Sequence, residues 1–259
     1  MLKKLFTCFV ELTGNQLAST LLKTYTRSSL SRPLIRPFLT IYGINQDEIE
    51  LPIHHYKSLH AFFTRRLITN TRPVDLSESA LIAPVDGIVS DMGKITGKDQ
   101  RFTIKNQHYT VSDVLGGKNE ESTYQNGYFY ILYLSPRHYH RIHYPINGQL
   151  LHRYALGGTS FPVNNLGLRW GKAPFSTNYR IISELSTAFG RMAMIKIGAL
   201  NINSIHLLHA QDTFNKADEV GYFSFGSTVV LFIEQNSHFQ PAVIPGTEVA
   251  MGQTIGEWN

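Results

Sequence analysis

Three histidines crowd the segment SPRHYHRIHYP at 135–145, and one serine follows a glycine inside YFSFGSTVVLFIE at 222–234. Ser135 reads as an N-cap, Pro136 as a first helical residue and Pro145 as a stop, which predicts a short helix. On that helix His140 and His143, three apart, share a face while His138 points elsewhere. In a strand the pair would point to opposite sides, so the shared face depends on the helix. Two imidazoles on one face suit proton transfer, although surface histidines on a short helix are the plainer alternative. A metal site is weaker, because neither Cys-x-x-Cys nor His-Glu-x-x-His accompanies them. Gly226-Ser227 interrupts two β-rich runs, so Ser227 could be a nucleophile beside a backbone of unusual freedom. The bland reading is a hairpin or bulge, and the Gly-x-Ser-x-Gly elbow of α/β-hydrolases is absent.

The elements around these residues fall into two parts. Leu2, Leu5, Phe6, Phe9 and Val10 recur at helical spacing, and Leu17, Leu21 and Leu22 continue the pattern. A second helix is predicted from Ser58 through Leu67, before Arg72-Pro73. From about Leu81 onward, runs such as YFYILYL (128–134), AMIKIG (193–198) and TVVLFI (228–233) alternate with Gly, Pro and Asn turns. The fold class is therefore α+β: a mainly β, antiparallel, barrel-sandwich-like domain over 76–259 behind amphipathic helices over 1–75. Repeated long helices between strands are lacking, which argues against a doubly wound sheet. PVDG (84–87) and PING (145–148) each put an Asx-Gly turn after proline and before an apolar strand, the chemistry of a tight hairpin, and read as pseudo-equivalent corners.

Composition narrows the classes further. At 259 residues with 42% hydrophobic and 17% charged side chains, the chain can bury a full core and is not disordered. One cysteine, Cys8, rules out an internal disulfide framework and favours a reducing compartment. The net charge is +5, and Lys3, Lys4, Lys23, Arg27, Arg32 and Arg36 against Glu11 alone place all of it within residues 1–46. A neutral body with a basic head argues against a nucleic-acid binder and for a segment that docks on something anionic. A solvated basic terminus is the plainer alternative. The apolar runs near the N-terminus are too short to span a bilayer, and the sequence after Lys3-Lys4 lacks a cleavage site of the signal-peptide kind.

PVDG, YHRIH and FGST, in that order behind a basic helical N-terminus, resemble the phosphatidylserine decarboxylases, a pyruvoyl-dependent family. FFTRRL followed by RPV (62–74), LSPRHYHRIH-P and DEVGYF before GSTVVLF extend the resemblance over nearly the whole chain. Phe225 stands where the family commonly has leucine, which keeps an apolar anchor and leaves the Gly226-Ser227 bond untouched. Asn178-Tyr179-Arg180 replaces Asn-Glu-Arg, and Ile202-Asn203-Ser204-Ile205 replaces Val-Gly-Ser-Ile, marks of a subgroup.

The resemblance implies self-cleavage between Gly226 and Ser227. Ser227 would attack the Gly226 carbonyl, exchanging amide for ester. β-Elimination would leave a dehydroalanine that hydrolyses to a pyruvoyl group with loss of ammonia. His143 would be the base and Asp86 its orienting carboxylate, the logic of a catalytic triad. The resulting ketone would form a Schiff base with phosphatidylserine, with His140 as donor of the proton that replaces carbon dioxide, giving phosphatidylethanolamine without pyridoxal phosphate or metal. The partners implied are the lipid, an anionic membrane surface at the cytoplasmic face of the cell membrane, where the protein would be peripheral, and the large and small chains of one precursor; a homodimer is left open. Two other classes compete: a serine hydrolase using Ser227 in an uncut chain, and a lipoyl-like carrier with Lys216 as the modified lysine.

Overall fold

The computed structural model describes residues 16–96, 101–104, 107–117, 122–158, 173–198, 205–208, 211–224 and 227–259. The helix predicted over residues 2–10, the Phe225-Gly226 pair and residues 202–204 lie outside them.

The helices are α1 (Gln16–Arg27), α2 (Ile35–Tyr42), α3 (Leu59–Phe63), α4 (Val111–Leu115) and α5 (Pro174–Thr177). The Ser58 hydroxyl caps α3 by accepting from the Ala61 amide at 3.2 Å, as an N-cap serine should. That helix ends at Phe63, short of the predicted Leu67. Leu67 instead bridges to Ile49, and Arg65 and Arg66 turn toward the β-rich part of the chain. Ile35, Phe38, Leu39, Tyr56, Phe62 and Phe63 form an apolar cluster of the helical layer.

Sixteen strands are described: β1 (Ala80–Ile82), β2 (Gly87–Lys94), β3 (Arg101–Ile104), β4 (Gln107–Thr110), β5 (Tyr128–Leu134), β6 (Arg141–His143), β7 (Gly148–Leu156), β8 (Arg180–Thr187), β9 (Gly190–Gly198), β10 (Ile205–Leu207), β11 (Thr213–Phe214), β12 (Glu219–Phe223), β13 (Ser227–Ile233), β14 (Phe239–Pro241), β15 (Glu248–Val249) and β16 (Thr254–Trp258). They make an eight-stranded sheet in the order β11-β7-β8-β9-β13-β5-β2-β15, two three-stranded sheets, β1-β16-β14 and β10-β12-β6, and the pair β3-β4. Pairing is antiparallel, so the α+β class holds. The large sheet keeps two open edges among the described residues, so no barrel closes.

The apolar runs read from sequence become the centre of that sheet. β13 is buried at every position. Val229 and Leu231 join one core with Leu132 and Met194, while Val230 and Phe232 join a second with Ile131 and Ile195. A strand covered on both faces has no solvated side to alternate toward, hence its unbroken apolar run.

The two proline corners are equivalent in space, but neither is the expected hairpin, because each joins strands of different sheets. The large sheet is a palindrome in which β2 matches β7 and β15 matches β11, and the two small sheets match strand for strand. The amide of Ile82 donates to Pro145 O at 3.0 Å, and that of His143 donates to Pro84 O at 2.8 Å. Asp86 Oδ1 accepts from the Met251 amide, and Asn147 Oδ1 accepts from the Lys216 amide, at the matching positions. Glycine follows each Asx residue because the next strand passes close by. A Cβ on Gly87 would sit 2.8 Å from Tyr133 O, and one on Gly148 2.4 Å from Ser186 O.

Candidate active site

The histidine segment is not helical. After a turn at Pro136-Arg137 the chain extends into β6, which contains His143 and pairs with β12. The Ser135 amide, which would have opened a helix, instead donates to His138 Nδ1 at 2.9 Å. Its hydroxyl also meets that nitrogen, at 3.2 Å. Pro145 begins a corner, and β-forming Tyr139, Ile142 and Tyr144 are all buried. The shared helical face of His140 and His143 is thereby removed.

Each histidine nevertheless has a defined tautomer. His140 Nδ1 lies 2.8 Å from His138 O and His143 Nδ1 lies 2.8 Å from Ala217 O. A carbonyl only accepts, so both Nδ1 atoms carry the proton and both Nε2 atoms keep a lone pair. Among the described residues both Nε2 atoms are buried without a hydrogen-bond partner, and so is the Ser227 hydroxyl. Burial holds the His140 pKa well below its usual value, helped by Arg65 and His138. Burial also lowers that of His143, against the opposing pull of the Ala217 carbonyl, Glu219 and Asp86. Two neutral imidazoles thus present basic nitrogens inside the protein. His138 has the reverse tautomer, its Nε2 proton directed to Glu248 Oε1 at 3.2 Å, and serves the turn.

Asp86 does not bond His143. Its carboxylate is filled by Arg72, through Nε at 2.9 and 3.1 Å and Nη2 at 2.7 Å, and by the Met251 amide at 2.8 Å. The Ala217 carbonyl, not Asp86, orients the His143 ring, while Asp86 acts on that ring through its charge. Arg72 was missed as a functional residue, although the motif containing it was noted. Its guanidinium also reaches Glu48 at 2.9 Å. Burial opposes the Arg72 charge, but the bonds to Asp86 and Glu48 outweigh it and hold the pKa above its ordinary value.

FFTRRL and YHRIH meet in space. Arg65 Nη2 donates to Arg137 O at 3.0 Å and His138 O at 3.3 Å, Arg141 Nη2 donates to Thr64 O at 3.1 Å, and Arg66 pairs with Glu219 at 3.2 Å. Phe63 lies 3.9 Å, centroid to centroid, from the His140 ring. The helical layer therefore fixes the histidine segment. Arg65 keeps Nε and Nη1 buried without a hydrogen-bond partner among the described residues, and burial lowers its pKa to about 10.

Ser227 opens β13, opposite Leu134 on one side and Gly198 on the other. β12 and β13 belong to different sheets, so Ser227 does not follow a hairpin turn. The Phe223 amide donates to His140 O at 2.9 Å, anchoring the end of β12 to the histidine segment. No hydrogen bond joins the Ser227 hydroxyl to either imidazole. Lys216 is 8% exposed and its Nζ donates to Ser77 O, so it is not offered at a turn tip as a carrier lysine must be.

A self-processing lyase is the class that this serine, two basic imidazoles and clamped carboxylate suit. Residues 59–257 match the family model described as phosphatidylserine decarboxylase. A phosphatidylserine decarboxylase proenzyme of Halalkalibacterium halodurans is 44% identical over 261 residues, which span 100% of this chain and 99% of that protein. One of Geobacillus kaustophilus is 43% identical over 259 residues, 100% of this chain and 98% of that protein. The chain belongs to the phosphatidylserine decarboxylase family.

Proposed function

We propose that the protein decarboxylates phosphatidylserine to phosphatidylethanolamine after cutting itself between Gly226 and Ser227. The observation that carries the processing step is the Ser227 hydroxyl, buried and without a hydrogen-bond partner among the described residues, at the start of a central strand. Leaving such a hydroxyl unsatisfied costs about 1–3 kcal/mol, a cost retained where the oxygen has to react. The same residue fits a self-derived pyruvoyl group, its Oγ leaving with Gly226 as a carboxylate and water supplying the ketone oxygen; that ketone, when formed, would draw electrons from the bond to the departing carbon dioxide.

The chain's own side chains handle the protons. His143 Nε2 takes the Ser227 proton as the hydroxyl attacks the Gly226 carbonyl, with typical acid-base assistance of about 10²–10⁴-fold. Asp86, held by Arg72, favours the protonated ring through its charge. His140 is neutral at rest and cannot donate at once. Its Nε2 accepts a proton released by the substrate ammonium and returns it to the carbon that has lost carbon dioxide.

The reading includes reversible docking at an anionic membrane on the cytoplasmic face, supported by basic residues 1–46 and by α1, which exposes Leu21 and Tyr25. No described helix is long and apolar enough to cross a membrane. Intact mass together with lipid turnover tests the proposal. Two chains, residues 1–226 and 227–259 with a blocked amino terminus on the shorter, are expected from active protein. A single unmodified chain that still releases phosphatidylethanolamine would overturn the mechanism.

A further inference from the structure

Arg65, just past α3, is a buried charge that the packing alone does not explain. It is 4% exposed, two of its three guanidinium nitrogens lack a hydrogen-bond partner, and it forms no ion pair among the described residues. Asp86 and Glu48 act on it only through their charge, and Arg72 holds both. Burying a charge without pairing it costs stability. The remaining nitrogen shows where the charge is directed. Nη2 donates to His138 O at 3.3 Å, and His140 Nδ1 donates to the same oxygen at 2.8 Å. The guanidinium and the imidazole are therefore no farther apart than those two bonds laid end to end. Adjacent phenylalanines of α3 hold the two in place. Phe63 packs on the His140 ring, and the Arg65 guanidinium carbon lies 5.2 Å from the centroid of the Phe62 ring. The ionisable groups that act on His140 are Arg65 and His138. Burial keeps His138 neutral, which leaves Arg65 as the charge beside the ring.

We propose that Arg65 is a positioning residue for the decarboxylation: its charge keeps the His140 ring empty until substrate arrives and then drives the acquired proton off Nε2 toward the carbon that has lost carbon dioxide. The inference rests on the decarboxylase reading and deepens it. By sharing the His138 carbonyl with Nδ1, Arg65 holds the oxygen that fixes the His140 tautomer, so Nε2 is the nitrogen left bare. A positive charge at this range disfavours imidazolium, which makes the protonated ring a stronger acid and a faster donor. Arginine suits the place because burial lowers its pKa only to about 10, and it stays charged at neutral pH.

The test has two readouts on the full chain. In Ser227→Ala protein with isotope-labelled histidine, the His140 resonance, assigned by its loss when His140→Ala is added, reports the pH at which Nε2 gains its proton. Arg65→Gln is expected to raise that pH by about one to two units toward the ordinary histidine value, and Arg65→Lys, charged in acid, to leave it near its starting point. In mature enzyme with Ser227 intact, the acid limb of kcat/KM should move upward in Arg65→Gln and stay in place in Arg65→Lys. Arg65→Met takes the part of Arg65→Gln if the glutamine variant does not fold. An unmoved resonance in the uncharged variant overturns the proposal. Equal movement in Arg65→Gln and Arg65→Lys overturns it too, because the bonds to the carbonyls would then matter and the charge would not. So does a moved resonance with an unmoved acid limb, which would take the coupling out of the reaction. Wild-type protein that leaves phosphatidylserine unchanged would instead sink the decarboxylase reading, whichever way the resonance moves.

Discussion

The amide of His143 donates to the carbonyl of Pro84 at 2.8 Å, sewing the strand that carries one imidazole to the corner that carries Asp86. The matching bond, Ile82 to Pro145 at 3.0 Å, joins the other strand and corner, where an isoleucine takes the place of the histidine and Asn147 that of the aspartate. One backbone design is thus used twice, with ionisable side chains in one copy. Asp86→Asn and Asn147→Ala are expected to diverge for this reason. The first should slow self-cleavage by removing the charge that acts on His143. The second should cost about 1 kcal/mol through the lost bond to the Lys216 amide and leave cleavage at its normal rate. Rates of precursor disappearance on gels, with thermal melts of both variants, check the pair; equal slowing would assign the corners a purely structural role.

Ser227→Ala removes the oxygen needed for the acyl shift while keeping a small residue at a fully buried strand start. A single full-length, inactive chain is expected by intact mass. Fragments of residues 1–226 and 227–259 from that variant would contradict the cleavage chemistry.

The two imidazoles should separate by role. His143→Ala is expected to block maturation, because the nitrogen assigned to the Ser227 proton is gone. His140→Ala should mature and then turn over phosphatidylserine at least about a hundredfold more slowly, the low end of acid-base assistance. Phe63→Leu, which loosens the ring packed on His140, should lower turnover with less effect on cleavage. Normal turnover by cleaved His140→Ala protein would take that residue out of the reaction.

The strands of the large sheet were legible because burial on both faces leaves a continuous β-branched and aromatic run, and YFYILYL coincides with β5 from Tyr128 to Leu134. The paired corners were legible because proline, an Asx residue and glycine each answer a local demand of the turn. The helix predicted over 135–145 failed because Ser-Pro is an equally good opening for a turn. There the side chain of His138, rather than the next helical carbonyl, takes the Ser135 amide. Arg72 was illegible as a clamp because its partners, Glu48 and Asp86, are set by tertiary packing and leave no local pattern. Ala217 was illegible for the same reason, since any residue supplies a carbonyl.

Acid should destabilise the fold in a window set by its histidines. Burial is the leading cause that lowers the pKa values of His60, His138, His140, His143 and His206. Below about pH 6.5 the unfolded chain binds protons that the folded chain refuses, so stability rises with pH there, is complete above that value and is lost beneath it. For the fully buried His140 the limiting slope is about 1.4 kcal/mol per pH unit. Asp75, held low by the Thr254 hydroxyl and the Ser77 amide, acts only in the more acidic carboxylate range. Thermal melts should therefore show Tm falling between pH 7 and pH 5; a flat Tm across that interval would contradict neutral, buried imidazoles.

Membrane attachment should depend on both charge and exposed apolar side chains. Leu21 and Leu30, at 72% and 74% exposure, stand on the same N-terminal segment as Lys23, Arg27, Arg32 and Arg36. A basic residue near an anionic surface contributes about 1 kcal/mol, and burying a leucine side chain about 1.5–3 kcal/mol, so the two terms are comparable. Cosedimentation with phosphatidylserine vesicles is expected to weaken for Leu21→Ser/Leu30→Ser at every salt concentration, because apolar transfer is not screened. Wild-type binding should weaken as salt rises, because the basic contribution is screened within about 10 Å at 0.1 M. Binding that ignores both changes would place the lipid-facing surface elsewhere on the protein, and the proton chemistry assigned to His140, His143 and Ser227 would stand unaltered.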